Sequence, residues 1–187
     1  TLTRSSAASD VYKRQQGPAA GDALEKSIDD YQSAFDLLFK CAVKTSLLAL
    51  SSMKDKKWGR IINVASISVK EPLNYLVLSN SLRSALVTWS KTLSVDIAKF
   101  NITINNVLTG YFNTERLKQL NSKKAEKLGI KISKIEDTIK ETIPMKRFGK
   151  PEEYANLVCF LASDKSDYIT GTNIPIAVSY THLTLPT

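Results

Sequence analysis

The 187-residue chain has few of the side chains that bind metals or activate nucleophiles, with two cysteines and one histidine. Cys41 and Cys159 lie far apart in apolar helical patterns and form no Cys-x-x-Cys pair, so we expect two buried, reduced thiols. His182 lies in a terminal tail. This scarcity argues against a disulfide, a metal site and a Ser-His-Asp triad.

Long apolar runs and glycine-rich turns are missing as well. No run approaches the roughly 18 apolar residues of a membrane helix, and the first residues contain no apolar signal-peptide core. We therefore expect a cytoplasmic protein without membrane contacts. None of the seven glycines stands in a Gly-x-Gly pair, the spacing of turns that receive a dinucleotide pyrophosphate.

The two ends of the chain differ from the sequence between them. Residues 1 to about 15 and about 177 to 187 fit no element that their neighbours predict, and both resemble translated adapter sequence. We expect foreign tails at these positions. The natural segment would then run from about Gln16 to Ile176, with natural sequence missing at both ends.

Positive charge is concentrated in one polar segment of a chain whose formal net charge is +8. Between Lys118 and Lys150 there are ten Lys or Arg residues and four acidic residues. Two interpretations stay open: a solvated surface, or a basic rim for an anionic substrate. With few aromatics and no nucleic-acid motif, a nucleic-acid-binding module ranks below both, and we expect no nucleic-acid partner.

Hydrophobic periodicity predicts alternating helices and strands between the tails. Helices are predicted over about 28–56, 76–99 and from 151, and strands over 61–65, 102–108 and 173–176. The third helix should bury Leu157, Val158, Phe160 and Leu161. A polar, weakly helical insertion at about 113–143 should break at Gly129. This alternation predicts an α/β fold with a parallel sheet, in which Ser66 and Thr109-Gly110 share one carboxyl edge.

Four segments resemble, in order, the signatures of the short-chain dehydrogenase/reductase family. They are Gly59–Ser66 (GRIINVAS), Asn105–Thr114 (NNVLTGYFNT), Pro144–Glu153 (PMKRFGKPEE) and Tyr168–Gly171 (YITG). The resemblance covers about 17–176. It implies an incomplete Rossmann-like doubly wound sheet, equivalent to the C-terminal two thirds of the family's domain. Within the family, the sequence resembles a divergent branch similar to 3-oxoacyl-acyl-carrier-protein reductases.

The resemblance also implies the site residues. The catalytic candidates are Ser66, Ser79 and Arg83, and the candidates for contact with NAD or NADP are Ala65, Arg83, Thr109, Gly110, Phe112 and Thr114. Ser79 stands thirteen residues after Ser66, where the family has its tyrosine, and Arg83 stands at the lysine. Leu38 occupies the place of the family's asparagine, and Thr109 that of a proline.

These replacements weaken the expected proton chemistry. A serine hydroxyl is a far weaker acid than a phenol, Arg83 stays protonated, and Leu38 cannot relay a proton. Losing a well-placed general acid typically costs about 10²- to 10⁴-fold in rate. Tyr75, one turn before Ser79 if the helix extends back, is a candidate substitute.

Two functions therefore stay open. One is an NAD(P)-dependent oxidoreductase that reduces a 3-oxoacyl-type keto group or oxidises the alcohol. The alternative is a non-catalytic cofactor- or acyl-binding protein with the same fold. The partners implied are a small-molecule or acyl-thioester substrate and further copies of the chain in a homodimer or homotetramer. Simpler roles are also open: Ser66 as a strand-end turn former, Ser79 and Arg83 as helix-surface residues, and Thr114 as an N-cap.

Overall fold

The computed structural model describes residues 17–178, in which helices and strands alternate. The elements are α1 (Ile28–Ala34), a π-helical turn (Phe35–Lys40), α2 (Cys41–Lys56), β1 (Gly59–Ser66), α3 (Val77–Ile97), β2 (Ile102–Thr109), α4 (Glu115–Leu128), α5 (Ile132–Glu141), α6 (Pro151–Leu161) and β3 (Asn173–Ile176). The elements predicted from periodicity are all present, with bounds within a few residues of those expected.

The three strands form one parallel sheet in the order β1-β2-β3. β1 and β2 pair over eight residues, from Gly59 opposite Ile102 to Ser66 opposite Thr109. β3 pairs with the second half of β2, ending with Ile176 opposite Thr109. The predicted α/β fold with a Rossmann-like parallel sheet is therefore confirmed.

Helices cover both faces of this sheet, because alternate side chains of a strand point in opposite directions. On one face, Leu50 of α2 and Ile97 of α3 form a core cluster with Ile61 and Ile104. On the other, the Arg60 side chain donates a hydrogen bond to the carbonyl oxygen of Ser163, just after α6, and forms an ion pair with Asp167. A doubly wound arrangement follows.

A chain of side-chain amides crosses the sheet, in which Asn63 and Asn106 are buried and Asn173 is exposed. The Asn63 Nδ2 atom donates to the Ser90 Oγ of α3 at 2.8 Å and to the Asn106 Oδ1 at 3.1 Å. The Asn106 Nδ2 in turn donates to the Asn173 Oδ1 at 2.9 Å. These bonds connect all three strands and α3. Because a buried amide without partners is costly, they stabilise one register of the sheet over its neighbours.

The N-terminus of α6 is fixed by one carboxylate. The Glu153 oxygens accept hydrogen bonds from both terminal nitrogens of Arg147, at 2.7 and 2.9 Å, and from the Lys150 backbone N at 2.7 Å. These bonds, with the Arg147 bonds the strongest, lower the pKa of Glu153 from its ordinary 4.5 to about 2. Pro151 begins the helix, as its fixed φ favours. The loop before α6 is thereby held in one conformation.

Some predictions differ from the structure. The π-helical turn interrupts the helix predicted over 28–56, and no propensity signal indicated it. Of the four residues predicted to be buried on α6, only Leu161 is buried; Leu157 and Val158 are half-buried, and Phe160 is 39% exposed. The prediction of two buried thiols is also wrong: both cysteines are free, but Cys41 is half-buried and Cys159 is exposed. The predicted break at Gly129 is confirmed: it caps α4 with a φ of 63°.

The foreign-tail predictions fall almost wholly outside the described residues. The structure describes only Ala177 and Val178 of the second tail, directly after β3. Within residues 17–178, no helix is both long and apolar enough to cross a lipid bilayer.

The amide chain can be tested by replacing its central member. Asn106 is fully buried, so Asn106→Leu should lower the free energy of unfolding by about 1 to 3 kcal/mol, since the amides of Asn63 and Asn173 both lose a partner. Urea denaturation gives this quantity. The control Asn74→Leu changes an exposed loop amide and should change it by less than about 0.5 kcal/mol. Equal effects in the two variants would show that the amide chain does not stabilise the sheet.

Glu153 gives a pH-dependent prediction. Its carboxyl pKa is depressed in the folded state, so its stabilisation is complete above the unfolded-state value of 4.5 and is lost as pH falls toward 2. Glu153→Gln should therefore lower the Tm by a few degrees at pH 7, with a difference from wild type that narrows below pH 4.5. Thermal melts at several pH values measure this. Glu152→Gln, one residue earlier on the same exposed turn, is the control. A Tm difference between Glu153→Gln and wild type that does not change with pH would contradict the account.

Candidate active site

The first candidate residues meet at the carboxyl edge of the sheet. Ser66 ends β1 and Thr109 ends β2, and the two are direct register partners. Adjacent parallel strands lie about 4.8 Å apart, and paired residues point to the same face. The two hydroxyl side chains therefore lie side by side on the face that α6 covers.

Ser66 is oriented by the turn that follows β1. Its Oγ accepts a hydrogen bond at 3.2 Å from the backbone N of Ser68, at the start of a short 3-10 turn over Ile67–Val69. A hydroxyl that accepts a bond keeps its own proton for donation. Ser66 thus has the turn-forming role that its position indicated and still presents an O–H donor.

Arg83 and Ser79 lie together on α3, as their spacing of four predicts. The Arg83 Nε donates to the Ser79 Oγ at 3.2 Å, and its Nη1 donates to the Val64 carbonyl oxygen at 2.7 Å. Burial lowers the pKa of Arg83 below its ordinary value, but a guanidinium remains charged at neutral pH. Within residues 17–178 its Nη2 atom has no hydrogen-bond acceptor. A fixed positive charge therefore lies beside the end of β1.

Tyr154 of α6 also lies at this edge, one residue beyond the Pro144–Glu153 segment that resembles a family signature. The Thr109 Oγ1 donates to the Tyr154 hydroxyl at 3.3 Å. Burial raises the pKa of Tyr154 above its ordinary value, while the Thr109 bond and the positive charge of Arg83 act in the opposite direction. Its position had a signal: residues 154, 157, 158 and 161 form an i, i+3, i+4, i+7 stripe on the sheet-facing side of α6.

The other proposed cofactor contacts have differing surroundings. The Ala65 side chain is 3% exposed and packs in a core cluster with Val87 and Leu108, so only its backbone is available to a ligand. Gly110 is pressed against Ala177, where an added Cβ would come within 2.7 Å of the Ala177 Cβ. Close packing within the chain thus requires this glycine, whatever ligand the edge binds.

Phe112 and Thr114 lie further along the same segment. Phe112 is buried, and its ring lies against Gly149, so that a Cβ there would clash with it at 2.6 Å. The Thr114 Oγ1 accepts from the Leu117 backbone N at 3.3 Å and caps α4. Thr114 therefore has the N-cap role that the sequence left open, and Phe112 supports the loop before α6.

The two remaining positions bear on proton transfer. Leu38 lies within the π-helical turn and is 3% exposed, so an apolar side chain occupies the place that the resemblance gives to a relay asparagine. Tyr75 precedes α3, which begins at Val77, and its side chain is half exposed. The helix does not extend back to Tyr75, so the condition under which Tyr75 would lie one turn before Ser79 is not met.

The basic segment forms two exposed amphipathic helices, α4 and α5. Four of its cations pair with nearby carboxylates: Lys118, Lys140, Lys146 and Arg147. The other six form no ion pair with a described residue: Lys123, Lys124, Lys127, Lys131, Lys134 and Lys150. Both interpretations of this charge, a solvated surface and a basic rim, fit this arrangement.

Comparison with known proteins gives a consistent group of relatives. The family model described as enoyl-(acyl carrier protein) reductase matches residues 12–181. NADPH-dependent reductase BacG of Bacillus subtilis (strain 168) is 36% identical over 148 residues, which are 79% of this chain and 57% of that protein. 3-Oxoacyl-[acyl-carrier-protein] reductase FabG of Rickettsia felis is 30% identical over 158 residues, 82% of this chain and 59% of that protein. The chain thus spans somewhat more than half the length of the curated relatives it matches.

Solved structures agree with this grouping. The crystal structure of YwfH, an NADPH-dependent reductase involved in bacilysin biosynthesis, superposes with a TM-score of 0.82 at 33% identity over 88% of this chain and 63% of that one. L-Sorbose reductase from Gluconobacter frateurii, complexed with NADPH and L-sorbose, gives a TM-score of 0.82 at 26% identity over 89% and 64%. With the family match over nearly the whole sequence, the chain belongs to the short-chain dehydrogenase/reductase family.

Proposed function

We propose that the protein carrying this chain is an NAD(P)-dependent oxidoreductase that reduces a 3-oxoacyl-type keto group or oxidises the corresponding alcohol. One observation carries the proposal: the hydroxyls of Ser66 and Thr109 lie side by side at the carboxyl edge of the sheet, close to the Arg83 guanidinium. Relatives named as an NADPH-dependent reductase and as 3-oxoacyl-acyl-carrier-protein reductases support the reaction class.

The residues present fit one part of a nicotinamide cofactor. The unpaired Nη2 of Arg83 and the polar edge formed by Ser66 and Thr109 suit a ribose or an amide, which need hydrogen-bond donors. The seven glycines include no Gly-x-Gly turn for the pyrophosphate. This chain therefore supplies groups for the nicotinamide half, with Arg83, Thr109 and the Gly110 backbone as the candidate contacts. When bound, the cofactor supplies a hydride.

The side chains of the edge act on the substrate carbonyl. The Ser66 oxygen accepts from the Ser68 N through a lone pair and keeps its own proton. The Ser66 O–H can therefore donate a hydrogen bond to the carbonyl oxygen of the substrate. Arg83 adds a fixed positive potential where negative charge develops on that oxygen. Pre-oriented donors of this kind stabilise the transition state more than the ground state, because they require no reorganisation during the reaction.

Ser66 and Arg83 can be tested together in the full-length protein that carries this sequence. Fluorescence titration with NADPH and NADH should give saturable binding of one or both. Ser66→Ala should lower the kcat for acetoacetyl-CoA reduction by about 10²- to 10³-fold with little change in cofactor Kd. Arg83→Ala should raise that Kd and also reduce turnover. Ser51→Ala, on the exposed surface of α2, is the control. Unchanged turnover in both Ser66→Ala and Arg83→Ala would show that these residues do not form the active site.

A non-catalytic cofactor- or acyl-binding protein is the second candidate. Leu38 favours it, because this buried apolar side chain in the π-helical turn cannot pass a proton. In that case the carboxyl edge binds a ligand without turnover. Saturable cofactor binding with no reduction of any ketone by the wild-type protein would favour this candidate, and turnover above background would eliminate it.

The basic helices suggest how the substrate is selected. We infer that the unpaired lysines of α4, of α5 and of the turn between them form a rim that attracts acyl thioesters of acidic carriers. The kcat/KM for acetoacetyl-CoA should then exceed that for uncharged ethyl acetoacetate, and the ratio should fall as salt screens the lysines. The double variant Lys131→Glu/Lys134→Glu should reduce the ratio about tenfold. Lys165→Glu, a control at an exposed position after α6, should leave it unchanged, and equal use of both substrates by wild type would contradict the inference.

Assembly and location complete the proposal. Exposed apolar side chains on the helices that pack against β1 and β2, among them Leu48 at 72% exposed, support a homodimer or homotetramer. The free thiols of Cys41 and Cys159 support a reducing, cytoplasmic environment.

A further inference from the structure

The Tyr154 hydroxyl lies next to the proposed reaction site, although Tyr154 belongs to none of the four segments that resemble family signatures. It is within 3.3 Å of the Thr109 Oγ1, and Thr109 is the register partner of Ser66. The side chains of Ser66 and Thr109 point to the face of the sheet that α6 covers. Three hydroxyls therefore meet on this face.

Packing holds the phenol ring in one orientation. The rings of Tyr154 and Phe112 lie edge to face with their centroids 5.3 Å apart, and Phe112 is itself buried against Gly149. The preceding residue, Glu153, ties the start of α6 to Arg147. A catalytic group on a rigid element loses little entropy when it engages a ligand.

The surroundings of Tyr154 suit a proton donor. Burial keeps the phenol neutral, so it carries its proton at neutral pH, and the Arg83 charge stabilises the phenolate that remains after transfer. Thr109 stands where the resemblance has a proline, which has no hydroxyl. The threonine thus gives Tyr154 a hydrogen-bond partner that the proline could not provide.

We propose that Tyr154 is the proton-donating phenol of this site, in place of the weak acid Ser79. This inference rests on the proposed function. With hydride supplied by a reduced nicotinamide dinucleotide, which would lose its C–H bond and be oxidised to the pyridinium form, the carbonyl carbon would gain the new C–H bond, and the C=O π pair would move to oxygen and take the proton of the Tyr154 O–H. The phenolate left behind keeps the electron pair of the broken O–H bond, and a proton from water restores the phenol.

Tyr154→Phe tests the proposal in the full-length protein, because it removes the hydroxyl and keeps the ring contact with Phe112. With acetoacetyl-CoA and the cofactor that binds, kcat/KM should fall by about 10²- to 10⁴-fold, while the Tm and the cofactor Kd change little. Tyr168→Phe, at a fully exposed tyrosine, is the matched control and should leave kcat/KM within twofold. Tyr75→Phe should behave like this control.

A second readout does not depend on turnover. Phenol ionisation changes the near-ultraviolet absorbance and can be followed by pH titration. Subtracting the titration of Tyr154→Phe from that of wild type leaves the ionisation of Tyr154 alone among the seven tyrosines. Arg83→Met should move this ionisation to higher pH, because it removes the charge that favours the phenolate. Thr109→Val should move it in the same direction, since it removes the hydrogen bond.

The outcomes separate this inference from the proposed function. If wild type is active and Tyr154→Phe has the same kcat/KM, the inference is overturned and the proposed function stands. A loss of kcat/KM in Tyr75→Phe but not in Tyr154→Phe has the same consequence. An ionisation that neither Arg83→Met nor Thr109→Val moves also overturns it. A wild-type protein that binds cofactor but reduces no ketone overturns the proposed function, and the proton-transfer step with it.

Discussion

The parallel pairing of β1 with β2 is the constraint on which the rest of the structure depends. Because side chains alternate along a strand, a shift of one residue would turn Ser66 away from Thr109 and place polar Asn63 on the wrong face. The side-chain amide bonds from Asn63 through the buried Asn106 to β3 oppose such a shift, since another register breaks them. The same bonds that stabilise the sheet therefore set the positions of the site residues.

The proposed site differs from the family's pattern at the positions that the resemblance gives to proton transfer. A hydroxyl at the end of β1 and a cation on α3 match that pattern, whereas Leu38 and Ser79 stand where the resemblance has an asparagine and a tyrosine. The π-helical turn around Leu38 is a backbone feature often found at functional sites. Tyr154 lies on α6, on the opposite side of the sheet from α3. Proton donation from there would approach the substrate through Thr109 and the end of β2.

Much of this arrangement could be predicted from the sequence, because it follows from periodicity. The apolar run of β1, the β-branched residues of β2 and the alternation with helices predict a parallel sheet, and the spacing of Ser79 and Arg83 predicts that they share one face of α3. Contacts between distant segments were not predictable in this way. The Tyr154–Thr109 bond joins residues 45 apart, and the exposure of Phe160 depends on which side of α6 faces the sheet. The start of α3 could not be read from periodicity either: the helix begins at Val77, two residues after Tyr75.

A crystal structure of the full-length protein with NADPH and a substrate analogue such as a 3-oxoacyl thioester tests the central claim most directly. The account predicts the nicotinamide and the substrate carbonyl at the carboxyl ends of β1 and β2, with the carbonyl oxygen within hydrogen-bond distance of the Ser66 and Tyr154 hydroxyls. A carbonyl bound away from this edge, or one contacted by neither hydroxyl, would contradict it.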